Sequence, residues 1–423
     1  MNILIVGSGG REHAICDSFS RSGRASRLFC ANGNAGIGAI AEVVPIKPEE
    51  PERLAQFARE NDVDLTFIGG ETALAMGVVD IFAERGLNII GPRKAAARLE
   101  SSKAFSKDFM ARHGVPTAAY FVARSDTIAA EALKEGRFGD ELAPVVVKAD
   151  GLAAGKGVVV ARNRQEAMDA IADLRTIAGA SAVSRIVLEE FLEGTEVSLI
   201  MFADGEDFAL MPPTRDHKRI GEGDTGPNTG GMGTFTDDSL LSPEHTEQII
   251  REIIKPTLKG CIAEGFPFRG ILFLGLMMTS DGPKVLEYNV RFGDPETQSI
   301  LVRLETDLVE ICEAMLEGRL SATDIKWMPG SSATVVLAAE GYPQSPRKGD
   351  VISGVDEAAS EEFVTVFHAG TSISEVGSLI TAGGRVLGVT AIGDSLDEAL
   401  DRSYRAVSKI SWKGMQYRRD IGK

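Results

Sequence analysis

The stretch "VVKADGLAAGKGVVVA", residues 146–161, contains a glycine loop with lysines. Its spacing decides whether this loop is a P-loop between a strand and a helix or a loop between two strands. A phosphate-binding P-loop keeps four residues between its glycines and places Ser or Thr directly after its Lys. Here three residues separate Gly151 from Gly155, and Gly157 follows Lys156. The apolar runs on both sides predict two strands, so the loop joins strand to strand. It lacks the hydroxyl that holds Mg²⁺ in a P-loop, and metal ligands must come from elsewhere in the chain.

Composition and charge limit the class of protein. The 423 residues predict two to four domains, and the hydrophobic (43%) and charged (25%) fractions are ordinary for a globular protein. A net charge of −16 argues against a nucleic-acid partner. In so acidic a chain, Lys and Arg residues within glycine loops stand out as candidate ligands for anionic substrates.

Membrane and secretion signals are not found in this sequence. No apolar run approaches the ~20 residues of a membrane helix. The opening segment MNILIVGSGG is typical of a buried strand and a turn, without the basic start of a signal peptide. The cysteines at 16, 30, 261 and 312 have neither metal-ligand nor redox-motif spacing. We therefore expect a cytoplasmic protein with reduced thiols and no membrane partner.

Residues 2–90 alternate short apolar runs with helical patterns, which predicts a parallel sheet covered by helices. The predicted strands are 3–6, 28–31, 65–69 and 88–91, and the predicted helices are 11–22, 49–60 and 73–85. Gly91 and Pro92 then interrupt the pattern before a predicted helix at 101–113.

The rest of the chain divides into three further segments. Residues 116–191 predict a compact α+β unit with strands at 144–148, 158–161 and 186–190 and a helix at 164–175. Residues 192–320 add a loop at 215–235, a helix near 243–264 and strands at 270–279 and 284–290. After residue 327, short strands separated by Gly and Pro predict a small third domain, which closes with a helix near 396–411.

The segment "VGSGGREHA", residues 6–14, follows the first predicted strand. Its glycines permit a tight turn, and the helix that begins near Arg11 points free N–H groups at the loop. An anion site and a plain strand–helix turn fit about equally well. A dinucleotide cofactor fits less well, because Glu12 stands at the third glycine position and Asn32 and Asn34 stand where an acidic ribose ligand is expected.

Three further segments have charged residues in suggestive settings. Lys148 and Lys156 could clamp adjacent phosphates, or they could be solvated lysines beside a hairpin. The acidic strand end at 187–199 is, by itself, more typical of a solvated face. The segment "TRDHKRIGEGDTGPNTGGMG", residues 214–233, has six glycines among its last thirteen residues. Ordering so flexible a loop is costly, which favours a segment that wraps a ligand or moves.

The segment "KVLEYNVRFGDPETQ", residues 284–298, contains the most informative pattern. Glu287, Asn289 and Arg291 alternate along a predicted strand and therefore share one face. Mg²⁺ prefers such oxygen ligands together with substrate phosphates, and Arg291 could stabilise a developing negative charge. Asp294 and the following proline turn the chain into a helix that begins near residue 296.

These motifs, taken in order, resemble the phosphoribosylamine–glycine ligase family of the ATP-grasp superfamily. The resemblance rests on GSGGREHA, GNAG, SKAFSKDFM, VVKADGLAAGKGVVVA, DHKR, GDTGPNTGGMG, LEYNVRFGDPETQ, GGRVLGVTA and GMQYRRDIG, and it covers nearly the whole chain. It implies an α/β fold with a Rossmann-like N-terminal domain (1–101), an ATP-grasp core (102–326) with a mobile lid near 118–190, and a small β-rich C-terminal domain (327–423). It also implies a reaction of ATP, glycine and 5-phospho-β-D-ribosylamine that gives glycinamide ribonucleotide, ADP and phosphate through a glycyl phosphate, in purine synthesis.

The resemblance implies a role for each matching residue. ATP would meet Lys103, Lys148, Lys156, Glu189, Phe191 and Glu196, and Mg²⁺ or Mn²⁺ would meet Glu287 and Asn289. The catalytic residues would be Arg291, Asp216 and Lys218. The phosphoribosylamine would meet Gly9, Gly10, Glu71 and Asp294, together with the loop at 215–230. The family usually has G-P-E-x-P-L where this chain has GGETAL at 69–74, so Glu71 is kept and both prolines are absent.

Several alternatives remain open at this point. Another ATP-grasp ligase would share the lysines and the metal strand but should lack DHKR and TGPNTGGMG. A nicotinamide oxidoreductase would use the loop at 6–14, and a catalytically silent nucleotide-binding protein would not turn over ATP. The basic end "KGMQYRRDIGK" is either a contact surface or a solvated tail. We expect a monomer, with a dimer as the alternative.

Overall fold

The computed structural model describes residues 1–152, 157–177 and 185–423, without the side chains of 175–177. Lys156, predicted as an ATP ligand, lies outside the described residues. The hairpin around it is nevertheless clear, because Val145–Ala149 and Val158–Ala161 pair antiparallel, with Lys148 opposite Val158. The two strands predicted on either side of the glycine loop are confirmed, and the structure shows that they pair antiparallel.

The N-terminal part is a parallel sheet flanked by helices, which confirms the Rossmann-like prediction. Its strands lie in the order Glu42–Val44, Arg27–Asn32, Asn2–Gly7, Leu65–Ile68 and Ile89–Ile90. The apolar run at 3–6 is completely buried because helices cover both faces of the sheet. The short strand at 42–44 was missed, since three residues are too few to show a periodic pattern.

Helices surround this sheet and connect it to the next part of the chain. They span Gly10–Ser20, Pro51–Glu60, Glu71–Met76, Val78–Glu84, Lys94–Ser101 and Lys103–Arg112. The prediction of one helix at 73–85 was wrong, because the chain breaks at Gly77, whose φ is +89°. Only glycine adopts this left-handed conformation without strain, so the break is built into the sequence.

A small antiparallel sheet follows, with two helices packed on it. Its strands lie in the order Tyr120–Ala123, Ile186–Glu190, Val145–Ala149 and Val158–Ala161, and the helices are Asp126–Lys134 and Arg164–Ile177. The apolar faces of the two helices and of the sheet form a separate buried cluster that includes Val147, Leu174 and Leu188. The predicted lid thus has a hydrophobic core of its own.

A long sheet runs from the central part of the chain into the C-terminal part. Its order is Gly282–Asn289, Arg269–Thr279, Thr195–Asp204, Thr214–Asp216, Gly233–Thr236, Ser331–Ala338, Arg385–Gly393 and Val364–His368, with Phe208–Leu210 paired to Thr195–Asp204. The predicted boundary near residue 327 falls between two strands of this sheet and stays a prediction, as does the boundary near 101.

The region at 215–235, predicted as a loop, contains short strands. Thr214–Asp216 and Gly233–Thr236 pair with each other in the long sheet, and Arg219–Gly221 pairs with Thr225–Asn228 in a projecting hairpin. The glycine content concealed them, because backbone pairing with neighbouring strands overrides the weak strand preference of glycine.

The remaining helices cover the long sheet. They are Pro243–Ile249, a π-helical turn at Ile250–Ile254, Lys255–Ala263, Glu296–Leu301, Leu308–Glu317, Val355–Ala359 and Leu396–Val407, with short 3₁₀ turns at Ile37–Ala39, Asp238–Leu240 and Leu320–Ala322. A second hairpin pairs Thr371–Ile373 with Leu379–Thr381. The predicted helices near 243–264 and 296 are confirmed, and the last helix ends four residues before the predicted end.

The N-terminal and C-terminal parts meet at a histidine contact. The backbone N–H of His368 donates to Nδ1 of His13 at 2.7 Å, and their ring centroids are 5.5 Å apart. The side-chain amide of Asn34 bridges the two parts, donating to the carbonyls of Ser8 (2.9 Å) and His368 (2.8 Å). His13 must be neutral to accept this hydrogen bond, so the contact depends on protonation.

We expect acid to weaken the folded state through these histidines. Burial and the neighbouring His368 lower the pKa of His13 to about 3, and burial lowers the pKa of His368 to about 4. A depressed histidine pKa stabilises the fold above the unfolded value of 6.5. That contribution is lost as the pH falls from there toward 4, by up to about 1.4 kcal/mol per pH unit for each imidazole.

Urea unfolding at about pH 7 and about pH 5 measures this loss as a free energy of unfolding. His13→Gln, whose amide oxygen can still accept the hydrogen bond, should flatten the pH dependence. His245→Gln is the matched control because His245 is exposed on its helix. An equal pH dependence in His13→Gln and the wild type would contradict the assignment.

Candidate active site

A cavity of about 720 Å³ lies where the small sheet, the long sheet and the N-terminal part meet. This volume is in the range of a site for a nucleotide-sized ligand. It brings together most of the predicted site residues, namely Glu71, Lys103, Lys148, Glu189, Phe191, Glu196, Asp216, Lys218, Glu287, Asn289, Arg291 and Asp294. These residues span more than two hundred positions of the chain, so their convergence is a property of the fold.

A second cavity of about 240 Å³ opens beside the first, at the glycine turn of the N-terminal part. Gly9 lines it, and Arg11, Glu71 and Asp294 line both cavities. Gly10 does not line either cavity: it faces Gln298, whose side-chain nitrogen would be 2.5 Å from a Cβ at this position. Packing alone therefore accounts for a glycine at position 10.

The strand Gly282–Asn289 presents the predicted metal ligands. Glu287 and Asn289 face the cavity, while the intervening Tyr288 is buried on the other face, where it bonds to Thr257. Glu287 forms no hydrogen bond or ion pair within 4 Å in the described parts of the chain. Arg291 donates to the side-chain oxygen of Asn289 at 3.3 Å. A carboxylate and an amide oxygen on one strand face suit a hard cation that substrate oxygens also coordinate.

Four cations surround Glu287 at longer range. Burial raises its pKa, but the positive charges of Lys218, Lys148, Lys103 and Arg291 outweigh burial, so the pKa of Glu287 is lowered overall. Glu287 is therefore ionised at neutral pH. The same cations leave the surrounding cavity attractive to phosphate groups. Among the described residues there is no cluster of three or more His, Cys, Asp or Glu that could enclose a metal alone.

Arg291 is fixed between two carboxylates. Its guanidinium lies 3.2 Å from Glu71 and 2.8 Å from Glu100. Glu100 also accepts from the backbone N–H of Val290 at 2.8 Å, which ties the helix Lys94–Ser101 to the end of the metal strand. Glu71 is the first residue of the helix Glu71–Met76. The start of this helix places it beside Arg291, although the two prolines expected around Glu71 are absent. The guanidinium of Arg291 is therefore held in one orientation at the cavity before any ligand binds.

Lys148 belongs to a buried ion-pair cluster that the sequence only partly revealed. Glu189 lies 2.9 Å from Lys148 and 2.8 Å from Lys107, and all three side chains are less than a tenth exposed. Burial lowers the pKa of Lys107 to about 8, against the opposing effect of Glu189. Lys107 lines the cavity and was missed, because its position four residues after Lys103 also fits a solvated helix face.

Two further predicted residues flank this cluster. Lys103 donates to the carbonyl of Gly151, at 2.9 Å, at the start of the glycine loop. Phe191 directly follows the strand Ile186–Glu190 and is 39% exposed, so it presents an apolar ring to the cavity. The acidic strand end is thus part of the cavity wall and is not a solvated face.

Asp216 and Lys218 project into the cavity from the start of the hairpin segment. Lys218 is half-buried and ion-paired with Glu196, and this pair outweighs the partial loss of solvent and raises the pKa of Lys218. Burial, together with the charge of Glu296, raises the pKa of Asp216 well above its usual range. One oxygen of Asp216 is buried and has no hydrogen-bond partner within the described structure. Such an oxygen is suited to receive a polar group of a ligand.

Asp294 is held by the C-terminal part. Arg385 lies 3.2 Å from its carboxylate, and Gln298 donates to it at 3.1 Å. Burial would raise the pKa of Asp294, but Arg385 and Arg11 outweigh it and lower the pKa. Arg385 and Arg11 were not predicted. Their signal was present in GGRVLGVTA and VGSGGREHA, where each arginine follows a glycine pair.

The cavity can therefore bind a triphosphate on its lysines, a divalent cation on one strand face, and small polar substrates beside Arg291 and Asp216. Together with the lid-like antiparallel sheet, these features define an ATP-grasp enzyme. The family models agree, with matches to the phosphoribosylglycinamide synthetase N domain at residues 1–100, the ATP-grasp (A) domain at 101–297 and the C domain at 332–423. The chain belongs to the phosphoribosylglycinamide synthetase family.

Individual relatives support this assignment. A phosphoribosylamine–glycine ligase of Vibrio vulnificus is 50% identical, with 100% of this chain and 98% of that protein covered. One of Pseudomonas aeruginosa is 49% identical, with 100% and 97% covered. The crystal structure of a phosphoribosylamine–glycine ligase from Thermotoga maritima has a TM-score of 0.84 at 34% identity, covering 100% of both chains.

A more distant structure matches in fold alone. It is a biotin carboxylase domain from Hydrogenobacter thermophilus, with a TM-score of 0.73 at 18% identity, covering 98% of this chain and 91% of that one. The family assignment removes the nicotinamide oxidoreductase from the alternatives. The described helices include none with the length and hydropathy needed to cross a bilayer.

Proposed function

We propose that this chain ligates glycine to 5-phospho-β-D-ribosylamine, with cleavage of ATP, giving glycinamide ribonucleotide, ADP and phosphate in purine biosynthesis. The supporting observation is the Glu287 carboxylate, which has no ion pair within the described residues and faces a cavity where Lys103, Lys148, Lys218 and Arg291 lower its pKa. ATP-dependent ligation of a carboxylate needs a site that holds triphosphate, metal and acid together. The names of the relatives supply the two substrates.

The ATP side of the cavity is formed by the small sheet. Lys103 and Lys148 neutralise phosphate charge, and Glu189 keeps Lys148 in place. Phe191 offers a face for the adenine ring, and Glu196 can accept from ribose hydroxyls once ligand binding separates it from Lys218. We include Lys156 in this set on the resemblance alone.

Glu287 and Asn289 would hold Mg²⁺ or Mn²⁺. Their oxygen donors fit either ion, and the geometry leaves the remaining ligands to phosphate oxygens. The bound cation would neutralise the developing phosphate charge during transfer. Arg291 would lose its hydrogen bond to the Asn289 oxygen when that oxygen binds the metal. Its ion pairs with Glu71 and Glu100 would remain.

The glycine carboxylate would attack the γ-phosphorus of ATP, releasing ADP and forming glycyl phosphate. The amine of phosphoribosylamine would then attack the glycyl carbonyl, with loss of phosphate and of one amine proton. Arg291 stabilises the charge on the transferred group, and Lys218 and Asp216 face the acyl centre. Water must be excluded because an acyl phosphate hydrolyses, and closure of the lid near 118–190 would serve this need.

Phosphoribosylamine would enter through the smaller cavity. Gly9 has no side chain to obstruct the phosphate, although its own N–H donates to Glu12 at 2.6 Å. The first turn of the helix Gly10–Ser20 would favour the phosphate through its dipole, and Arg11 adds a positive charge. Glu71 and Asp294 line both cavities and would meet the ribose hydroxyls at the junction. We retain Gly10 only as a residue that permits close packing beside this site.

We also propose a cytoplasmic location and a monomer, with a dimer as the alternative. The four free, buried cysteines are typical of a reducing compartment. The net charge of −16 supports the absence of a nucleic-acid partner.

Phosphate release from ATP and Mg²⁺ tests this proposal directly. Glycine alone, freshly generated phosphoribosylamine alone, and both together are compared. Release that requires both, with glycinamide ribonucleotide found by mass spectrometry, is the expected result. Turnover with a different acid and amine would contradict the substrates, and no turnover with any would indicate a silent nucleotide-binding protein.

A further inference from the structure

The C-terminal residues 416–422 lie against the glycine-rich hairpin that projects beside the cavity. Arg418 is only 2% exposed, although it lies near the end of a polar segment. Its Nη1 donates to the carbonyl of Arg219 at 3.1 Å and to the carboxylate of Asp224 at 2.6 Å. A buried guanidinium in this position joins the end of the chain to both the first strand and the tip of the hairpin.

Asp420 completes this junction. It accepts from Nε of Arg418 at 2.8 Å and from Nη2 at 2.7 Å, which is the two-pronged geometry of a strong Arg–carboxylate pair. The same carboxylate accepts from the backbone N–H of Gly223 at 2.8 Å. These hydrogen bonds from Arg418 lower the pKa of Asp420 to about 2, so the pair persists across the physiological range.

Three further contacts extend the junction along the hairpin. The backbone N–H of Arg419 donates to Glu222 at 3.2 Å, and that of Gly422 donates to Nε2 of His217 at 3.3 Å. Ile421 is completely buried against Gly233, where a Cβ would come within 2.7 Å of its side chain. The terminal segment thus contacts the start, the tip and the end of residues 217–233.

The hairpin also lines the large cavity, in which the substrates are proposed to bind. Arg219, Asp224 and Asn228 line the large cavity, whereas Arg418 and Asp420 do not. A two-stranded hairpin with this glycine content is marginally stable by itself, so contacts from outside must hold it in one position. The terminal segment provides those contacts from the side away from the cavity.

We propose that residues 416–422 position the hairpin over the substrate cavity, with Arg418 as the central positioning residue. This inference rests on the proposed function for the identity of the affected substrate, which is phosphoribosylamine. Arg385 joins the two regions, because it donates to the carbonyl of Gly230, at the end of the hairpin segment, and to that of Asp294, which lines both cavities. The proposed ATP residues Lys103, Lys148 and Glu189 are held by contacts outside the hairpin. Among the described ATP residues, Glu196 alone pairs with the hairpin segment, through Lys218.

Arg418→Met in the full-length protein tests the inference, because methionine keeps an apolar stem and removes the guanidinium. We expect the KM for phosphoribosylamine to rise roughly tenfold and the KM for ATP to stay within about twofold. Hydrogen exchange of the backbone amides at 217–230 should become faster. Arg402→Met is the matched control, since Arg402 bonds to Ile392 and Glu398 within the C-terminal part.

A lower melting temperature with unchanged exchange at 217–230 and unchanged KM values would make Arg418 merely structural and overturn the inference. Arg418→Lys should restore part of the effect, because it keeps the charge but not the fork. If Arg418→Met fails to fold, Asp420→Asn is judged by the same two measurements. If the wild type makes no glycinamide ribonucleotide, the proposed function fails, while the exchange comparison still decides the positioning role.

Discussion

Glu287→Ala is expected to lower ligase turnover by roughly a thousandfold or more while the protein stays folded. Glu287 is the ionised carboxylate around which Lys103, Lys148, Lys218 and Arg291 are arranged. Without it, these four cations repel one another and the metal loses its charged protein ligand. Binding of the triphosphate on the lysines would persist in part, so the loss should appear mainly in kcat.

The measurement is glycinamide ribonucleotide formation at saturating ATP over a range of Mg²⁺ concentrations, with circular dichroism to confirm folding. Asp281→Asn is the matched control, because Asp281 is an exposed carboxylate in the turn that leads into the same strand. Normal activity of Glu287→Ala at ordinary Mg²⁺ would refute the metal assignment. Recovery only at high Mg²⁺ would support it, since Asn289 and the phosphates would still bind the ion weakly.

Lys148→Ala is expected to weaken ATP binding, with a rise in the KM for ATP of roughly 10- to 100-fold and a smaller effect on kcat. Lys148 supplies one of the charges that hold the phosphates. Its removal also leaves Glu189 paired with Lys107 alone, inside a site where an excess carboxylate repels phosphate. Both effects act mainly on nucleotide binding, because Lys148 contacts the strand Gly282–Asn289 through the backbone carbonyl of Leu286 (3.1 Å) and forms its ion pair with Glu189, not with Glu287.

Steady-state kinetics with varied ATP, together with direct titration by ADP, measure this change. Lys134→Ala serves as the control, because Lys134 lies at the exposed end of the helix Asp126–Lys134. An unchanged KM for ATP together with an unchanged kcat would show that Lys148 has no part in binding the nucleotide.

Local patterns in the sequence predicted the fold wherever a single periodicity dominated. The fully buried parallel strands and the alternation of Glu287, Asn289 and Arg291 are examples, because their spacing alone fixes which face they share. The break at Gly77 and the strands within 214–236 were missed. Both depend on backbone conformations and pairings that composition does not reveal.

The sequence predicted those candidate-site residues that stand at distinctive positions of its motifs. Lys107 and Glu100 lie on ordinary helices and become part of the site through partners far along the chain, Glu189 and Arg291. Arg385 reaches Asp294 from another part of the chain in the same way. Such contacts are set by the tertiary fold: the motifs SKAFSKDFM and GGRVLGVTA contain Lys107 and Arg385, but they do not reveal the partners of these residues.

The long sheet is continuous between the central and C-terminal parts, so the chain cannot be cut between them without breaking the sheet. Ser331–Ala338 pairs along its whole length with Arg385–Gly393 on one side. On the other side, Gly233–Thr236 pairs with the middle of the same strand. Cutting the chain near residue 327 would leave Gly233–Thr236 as an open edge with unpaired backbone groups, a ready template for aggregation. The C-terminal part therefore could not be exchanged for that of another protein without rebuilding the middle of a sheet.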